Sequence, residues 1–305
     1  MRAPADPPTL GITSRLVGGL GNQLFQYAAG RAVASRLGCP LFVDPSPLAH
    51  SGEQDTVREF ALEWLVDPSD VINSGAAPTG RLASALWRRL PSLARGRVFQ
   101  QQGFAYDPRI EQVQMGAILS GYFQSWRYFA SIEDELRQDL RQHIPISDWH
   151  SRTQAQLQAL GPWIAIHVRR GDYLLDRNSA FHGLLGRDYY AWALALLRST
   201  GVDGSLVLFS DDPVAARSML GDLASDAVMI EPGPDAHPMQ SIGLMSQAPA
   251  IITANSSFSW WAGWLADPRG TTVVCPTPWL NEGAMDERDL RPTSWLTVDA
   301  GFGKA

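Results

Sequence analysis

Between Trp163 and Cys275, short apolar runs alternate with segments of helical periodicity, and this alternation constrains the chain more than any other feature. The runs cover residues 163–166, 205–209, 227–231, 250–253 and 271–275. The segments between them are 188–199, a stretch opening at Pro213, 239–247 and 258–265. Apolar runs this short read as buried strands, and Pro213 suits the first position of a helix. Strand and helix in turn imply a parallel sheet with helices on both faces. Such sheets hold their ligands at the carboxyl ends of the strands. The residues that follow each run therefore carry the question of function.

The run at 163–166 leads into His167, Val168, Arg169, Arg170, Gly171 and Asp172, so an apolar strand delivers fixed positive charge to a sheet edge. Side chains alternate along an extended chain, which puts His167 and Arg169 on one face and Arg170 on the other. One arginine is then free to meet a ligand while its neighbour ties down structure, through Asp172. A guanidinium is a planar fork of donors that stays charged, suited to holding a pyrophosphate as it leaves; the plainer alternative is a surface ion-pair network. Ser210, Asp211 and Asp212 follow the next run. Their carboxylates suit the N–H groups of a guanine ring, a metal ion, or the cap of the helix at Pro213. Asn255, Ser256 and Ser257 open the helix at Phe258, where hydroxyls and free amides form an anion cradle or simply a cap. Trp260, Trp261 and Trp264 fall at helical spacing and are expected mostly in the core.

The first half begins with a proline-rich arm at 1–11. A strand at 12–17 is followed by the turn Gly18-Gly19-Leu20-Gly21-Asn22, and Asn22 is the expected cap of a helix that Gly38 stops. Glycines in such a turn let backbone amides approach a phosphate, and the helix dipole adds to the attraction. Gly19 and Gly21 match the first spacing of the dinucleotide fingerprint, but Leu24 stands where its third glycine would be. Further strands are expected at 40–44, ending in Asp44, and at 118–123. A charged helix is expected at 131–140, and a linker with a short helix at 144–161.

A net charge of -6 without long charged runs disfavours nucleic acid and anionic membrane surfaces as partners. Cys39 and Cys275 make neither a disulfide framework nor a metal cluster, which fits a reducing compartment. The first fifteen residues lack a signal peptide's apolar segment, and no run is long enough to span a bilayer. A cytoplasmic protein acting on small molecules is the expectation.

Taken in order, these clusters resemble a family. GGLGNQLFQYA at 18–28, HVRRGDY at 167–173, SDDP at 210–213 and NSSFSWWAGWL at 255–265 are similar to the ordered motifs of the bacterial α-1,2-fucosyltransferases, glycosyltransferase family 11. Weaker echoes lie at 58–65, 121–125 and 181–183, while 69–101 is unmatched. The resemblance implies an α/β fold of GT-B type, two facing Rossmann-like domains with a cleft between them. Residues 1–155 would form the acceptor side and 156–305 the donor-binding domain. It implies GDP-fucose as donor substrate, no cofactor or metal, and inverting transfer to the 2-hydroxyl of a terminal galactose. Lactose or an O-antigen unit would be the acceptor, and a lipid-linked acceptor would bring the protein to a membrane surface peripherally.

Carried over by position, the resemblance puts Arg169 on the β-phosphate, helped by Gly19, Gly21, Asn22 and Gln23. His167 and Asp172 would hold the motif's shape and touch the donor. Asp211 and Asp212 would lie near the guanosine, and Asn255, Ser256, Ser257 and Phe258 on the diphosphate or nucleoside. The chain departs from the family at Gln240 and Ser241, where an acidic pair is usual. A preorganised arginine stabilises the charge that grows on the departing diphosphate more than it stabilises the ground state. Asp176 and His182, with Asp44 third, are the candidates to take the acceptor's proton; water or the leaving phosphate is the alternative. A dinucleotide oxidoreductase, with Asp44 on the ribose, a different GDP-sugar transferase and a non-catalytic glycan-binding module are the competing readings.

Overall fold

The computed structural model describes residues 10–50, 58–72, 98–170, 182–281 and 285–302. Asp172 and Asp176 lie outside these residues, as does most of the unmatched stretch 69–101. The chain divides into two compact units, Met1–Leu140 and Arg141–Ala305.

In the first unit, β1 (Ile12–Arg15), β2 (Leu41–Asp44), β3 (Val98–Gln100) and β4 (Ile118–Ser120) form a parallel sheet in the order β2-β1-β4-β3. Helix α1 (Leu20–Leu37) packs on it through Leu24, Phe25, Ala28, Ala29, Ala32 and Val33, all buried. Gly30 lets the helix come close: a Cβ there would lie 2.7 Å from Leu41 Cδ1. The close helix–sheet approach served by the fingerprint's third glycine is thus supplied at residue 30, while Leu24 fills the core. Helix α1 ends at Gly38, as expected, but starts at Leu20 with Gly19 as its cap residue. Asn22 therefore lies inside the first turn and caps nothing. The expected helix at 131–140 is α2 (Glu133–Gln142), led in by a 3-10 turn from Trp126 to Ile132 that Ser125 caps.

The second unit carries a six-stranded parallel sheet. Its strands are β5 (Trp163–Val168), β6 (Ser205–Ser210), β7 (Val228–Ile230), β8 (Ala250–Ile252), β9 (Thr272–Thr277) and β10 (Leu296–Asp299). The order β7-β6-β5-β8-β9-β10 is that of a dinucleotide-binding sheet read as 3-2-1-4-5-6. Its helices are α3 (Asp148–Ala159), α4 (Arg187–Ser199), α5 (Pro213–Leu220), α6 (Pro238–Met245) and α7 (Ser257–Ala266). Ile164, Ile166 and Val168 on one face of β5 share a core cluster with Tyr189, Tyr190, Ala193 and Leu197 of α4. His167, one step out of phase, meets Phe258 of α7 instead. Trp260, Trp261 and Trp264 are buried with Trp295, so the tryptophans of α7 are core as expected. Both units are parallel α/β sheets, the Rossmann-like building block that a GT-B fold requires.

The division falls at Leu140 rather than after residue 155, and hydrogen bonds explain why. The segment expected as linker is α3, a full helix capped by Ser147. Trp149 Nε1 donates to the Glu231 carbonyl at 2.9 Å, and Gln240 Nε2 donates to the Pro145 carbonyl at 2.9 Å. Gln240 Oε1 also accepts from the His237 N–H at 3.0 Å, closing a capping box on α6. A carboxylate at 240 could not donate to Pro145, so here the departure from the acidic pair supports a hydrogen-bond junction. Strands β3 and β10, at sheet edges, are additions to the sequence reading.

Candidate active site

In a sheet of this order the topological switch point lies between β5 and β8, where the connections leave toward opposite sides and open a crevice at the carboxyl ends. Arg169 and Arg170 leave β5 there, Asn255 and Ser256 leave β8, and Asp211 leaves the neighbouring β6. The structure thus brings three of the sequence clusters to one edge.

Arg169 Nη1 pairs with Asp211 Oδ2 at 3.0 Å, and both side chains are about a quarter exposed, at 22% and 24%. The other carboxylate oxygen, Asp211 Oδ1, accepts from the Arg170 N–H at 2.8 Å. Asp211 therefore braces the arginine motif with both oxygens. The Asp212 carboxylate accepts from the Ala215 N–H at 3.0 Å and caps α5. The acidic pair divides its work between orienting an arginine and starting a helix. Arg170 is turned inward and buried, and its Nη2 donates to the Leu185 carbonyl at 3.1 Å. The two arginines thus have different partners, Arg169 a partly exposed carboxylate and Arg170 a backbone carbonyl in the interior.

Ser256 Oγ accepts from the Phe258 N–H at 3.3 Å and caps α7. The other first-turn amides have no partner within the helix, and donors of that kind are what an anion can use at a helix start. Asn255 is buried, and its Nδ2 donates to the His182 and Gly183 carbonyls at 2.7 and 3.1 Å. Its amide hydrogens hold the loop ahead of α4. His182 stands on that loop, half-buried. Ser257 and Phe258 are half-buried at the helix start.

The His167 ring stacks on Phe258 with centroids 5.5 Å apart and planes at 30°. Burial, reinforced by the Arg169 charge, pushes its pKa from 6.5 down to about 3. The ring is therefore neutral at working pH and adds no charge of its own to the edge. This has a stability consequence. The unfolded chain protonates this histidine at 6.5 and the folded chain at about 3, so the unfolded state binds more protons between those values. Stability from this group is complete above pH 6.5 and falls as pH drops, by about 2 kcal/mol at pH 5. Urea unfolding at pH 7.5 and 5 should show that loss, and His167→Phe should reduce it.

Two side chains absent from the sequence reading fix the edge. Tyr189 Oη donates to the Thr253 carbonyl at 2.7 Å and Tyr190 Oη to the His167 carbonyl at 3.1 Å. Adjacent tyrosines on α4 thereby hold the ends of the two strands that flank the switch point. Burial raises both phenol pKa values, which keeps the hydroxyls protonated as donors. Nothing in their spacing distinguishes them from ordinary core tyrosines.

In the first unit the glycine turn closes the carboxyl end of β1. Gly18 has φ of 77°, and a Cβ there would collide with Asn22 Nδ2, so both backbone and space require glycine. A Cβ on Gly19 would meet nothing within 4 Å, which leaves that side of the turn open to a ligand. Gly21 is buried in the helix's first turn. Gln23 is fully buried; its Nε2 donates to the Gly18 and Glu59 carbonyls, and its Oε1 accepts from the Ala61 N–H at 2.9 Å. Both hydrogens of that amide are engaged, one on the turn itself and one on the segment at 58–65, so the side chain ties the two together. Asp44 is fully buried, 3.6 Å from Arg15 and bonded by the Ser46 N–H at 3.0 Å. A carboxylate held this way is a structural brace, ill-placed to accept a proton from a substrate.

A sequence profile of Glycosyl transferase family 11 matches residues 111–299, more than half of the chain. An alpha-1,2-colitosyltransferase of Escherichia coli is 27% identical over 94% of this chain and 99% of its own length. The O-antigen biosynthesis glycosyltransferase WbnK of Escherichia coli is 26% identical over 93% and 99%. Galactoside alpha-(1,2)-fucosyltransferase 1 of Alouatta caraya is 26% identical over 88% of this chain and 69% of its own. The profile match includes β5 through β10 and with them the arginine edge, and the chain is accordingly a glycosyltransferase that belongs to family 11.

Proposed function

We propose that the protein transfers L-fucose from GDP-fucose to the 2-hydroxyl of a terminal galactose, with inversion and without a metal ion. The observation that carries this reading is Arg169 at the switch point, partly exposed and held by Asp211, at the end of the strand paired with the one that leads into α7. A guanidinium and helix amides together neutralise the charge that grows on a departing diphosphate, a term that acts mainly in the transition state. Gly19, Gly21 and Asn22 are proposed to offer amide donors to the same donor substrate. Ser256, Ser257 and Phe258 are proposed at the diphosphate or nucleoside, Asp212 near the guanosine, and Ser241 at a ribose hydroxyl. His167 and Asp172 are proposed to shape the arginine motif. For the acceptor's proton, Asp176 and His182 remain the proposed recipients.

The names of the relatives support an α-1,2 linkage and a 6-deoxyhexose class of donor. The O-antigen name supports an oligosaccharide acceptor, which a lipid carrier would place at a membrane surface. Among the described residues no helix is long and apolar enough to cross a membrane. A second reading, a colitosyl donor, is favoured by the 27% relative. Purified protein with GDP-fucose and a panel of galactosides, lactose included, decides between them. Formation of a 2-fucosylated product supports the proposal; no product and no GDP release across the panel, with turnover of a colitosyl donor, selects the second reading.

A further inference from the structure

Among the described residues Asn22 has a single side-chain hydrogen bond: its Oδ1 accepts from Gln124 Nε2 at 2.6 Å. Both residues are half-buried at the carboxyl edge of the first unit's sheet, Asn22 after β1 and Gln124 after β4. An amide has one accepting and one donating end, so this bond fixes which end faces elsewhere. Here Nδ2 is the end left over the Gly18 turn, where it occupies the space a Cβ of residue 18 would take.

Gln124 is itself held in place by strain that its surroundings enforce. The preceding residue, Phe123, has φ of 52°, a left-handed conformation that costs a bulky residue on the order of 1–2 kcal/mol. Phe123 is fully buried, packing edge-on against Tyr128 at 5.2 Å and beside Phe99 at 6.3 Å. Its N–H donates to Gln101 Oε1 at 2.8 Å, and its carbonyl accepts from the Ser125 N–H at 2.7 Å. Gln101 Nε2 in turn donates to Tyr128 Oη at 3.1 Å, and Tyr128 Oη accepts from the Asp107 N–H at 2.8 Å. A backbone held so firmly in an unfavourable region, one residue before a side chain that reaches across to the neighbouring strand end, marks that side chain as the purpose of the turn.

Resting on the reading that the glycine turn meets the donor's diphosphate, we propose that Gln124 is a positioning residue. It locks the Asn22 amide with its –NH2 group toward the turn, so that the turn offers an anion only donors and never the amide oxygen. With Gln124 unable to donate, the Asn22 amide can turn over and present a lone pair to the same anion, which weakens donor binding before any chemistry occurs. Loss of ground-state binding raises KM and spares kcat.

Two near-isosteric variants test this, Gln124→Met, which neither donates nor carries charge, and Gln124→Glu, which only accepts and so favours the reversed amide. Both should keep the wild-type melting midpoint, and both should raise the donor KM with kcat within about threefold of wild type. The rise should be about threefold for Met and about tenfold or more for Glu. Calorimetric titration with GDP should weaken in the same order. A Met variant with wild-type KM and wild-type GDP affinity would overturn the proposal, because any effect of Glu would then be charge alone. A loss of kcat with unchanged KM would overturn it as well. If wild-type protein fails to bind GDP, the reading of the donor site falls and this proposal with it; wild-type binding beside an unaffected Met variant removes only the role of Gln124.

Discussion

Arg169→Ala should lose transfer activity by about a hundred- to a thousandfold while remaining folded, the usual result of deleting one preorganised donor to a developing negative charge. Arg170→Ala should do the reverse in kind. Arg170 is buried with its Nη2 on the Leu185 carbonyl, and removing it leaves that acceptor unpaired. The expected cost is about 1–3 kcal/mol of stability, with activity falling only as far as the folded fraction falls. Asp211→Asn keeps the shape that accepts the Arg170 N–H but removes the charge that orients Arg169, so its activity should lie between wild type and Arg169→Ala, with the fold intact. Steady-state rates beside denaturant melts separate the three. An Arg169→Ala enzyme of wild-type rate would remove the central element of the proposed mechanism.

The largest expected effect on stability lies one turn into α7. Trp260 is fully buried, 5.2 Å from the Trp261 ring, 6.3 Å from Trp264 and 5.5 Å from Trp295, with its Nε1 donating to the Leu290 carbonyl at 2.9 Å. Trp260→Ala opens a cavity that the three neighbouring rings, one edge-on, one stacked and one tilted, cannot easily fill, and leaves that carbonyl without its donor. A loss of about 3–5 kcal/mol is expected, read as a fall in the urea midpoint. Because Ser256 and Ser257, proposed at the nucleotide, start the same helix, nucleotide affinity should fall with it even at temperatures where the variant stays folded. A loss below about 1 kcal/mol would mean the ring cluster is not a single packed unit.

The second unit was legible because its strands are buried on both faces and therefore read as continuous apolar runs, each punctuated by proline, glycine or an acid. The motif residues at their ends were legible for the same reason: once a strand's direction is known, its carboxyl end is known. Edge strands were harder. Strand β10 is the four residues LTVD with alternate burial, too short and too polar to separate from a loop. The structural bonds of Gln23, Asn255 and Asp212 were not legible, because a polar side chain in a motif looks the same whether it bonds a ligand or a backbone group. Only the fold shows that Gln23 binds the segment at 58–65 and that Asn255 binds the loop at 182–183. The tyrosine pair and the Gln124–Asn22 bond join residues far apart in sequence, where no local spacing can announce them.

The pairing of β5 with β8 has a consequence in time. Ile164 lies beside Ala250, so the innermost neighbour of the arginine strand is made only after β6 and β7 and their helices have been synthesised. Contacts closed over such long loops are slow to form. A nascent chain cut short before α7 would carry the arginines without the α7 amino terminus, and under the proposed function nucleotide capture would therefore report that residues 257–305, about the last sixth of the polypeptide, have docked.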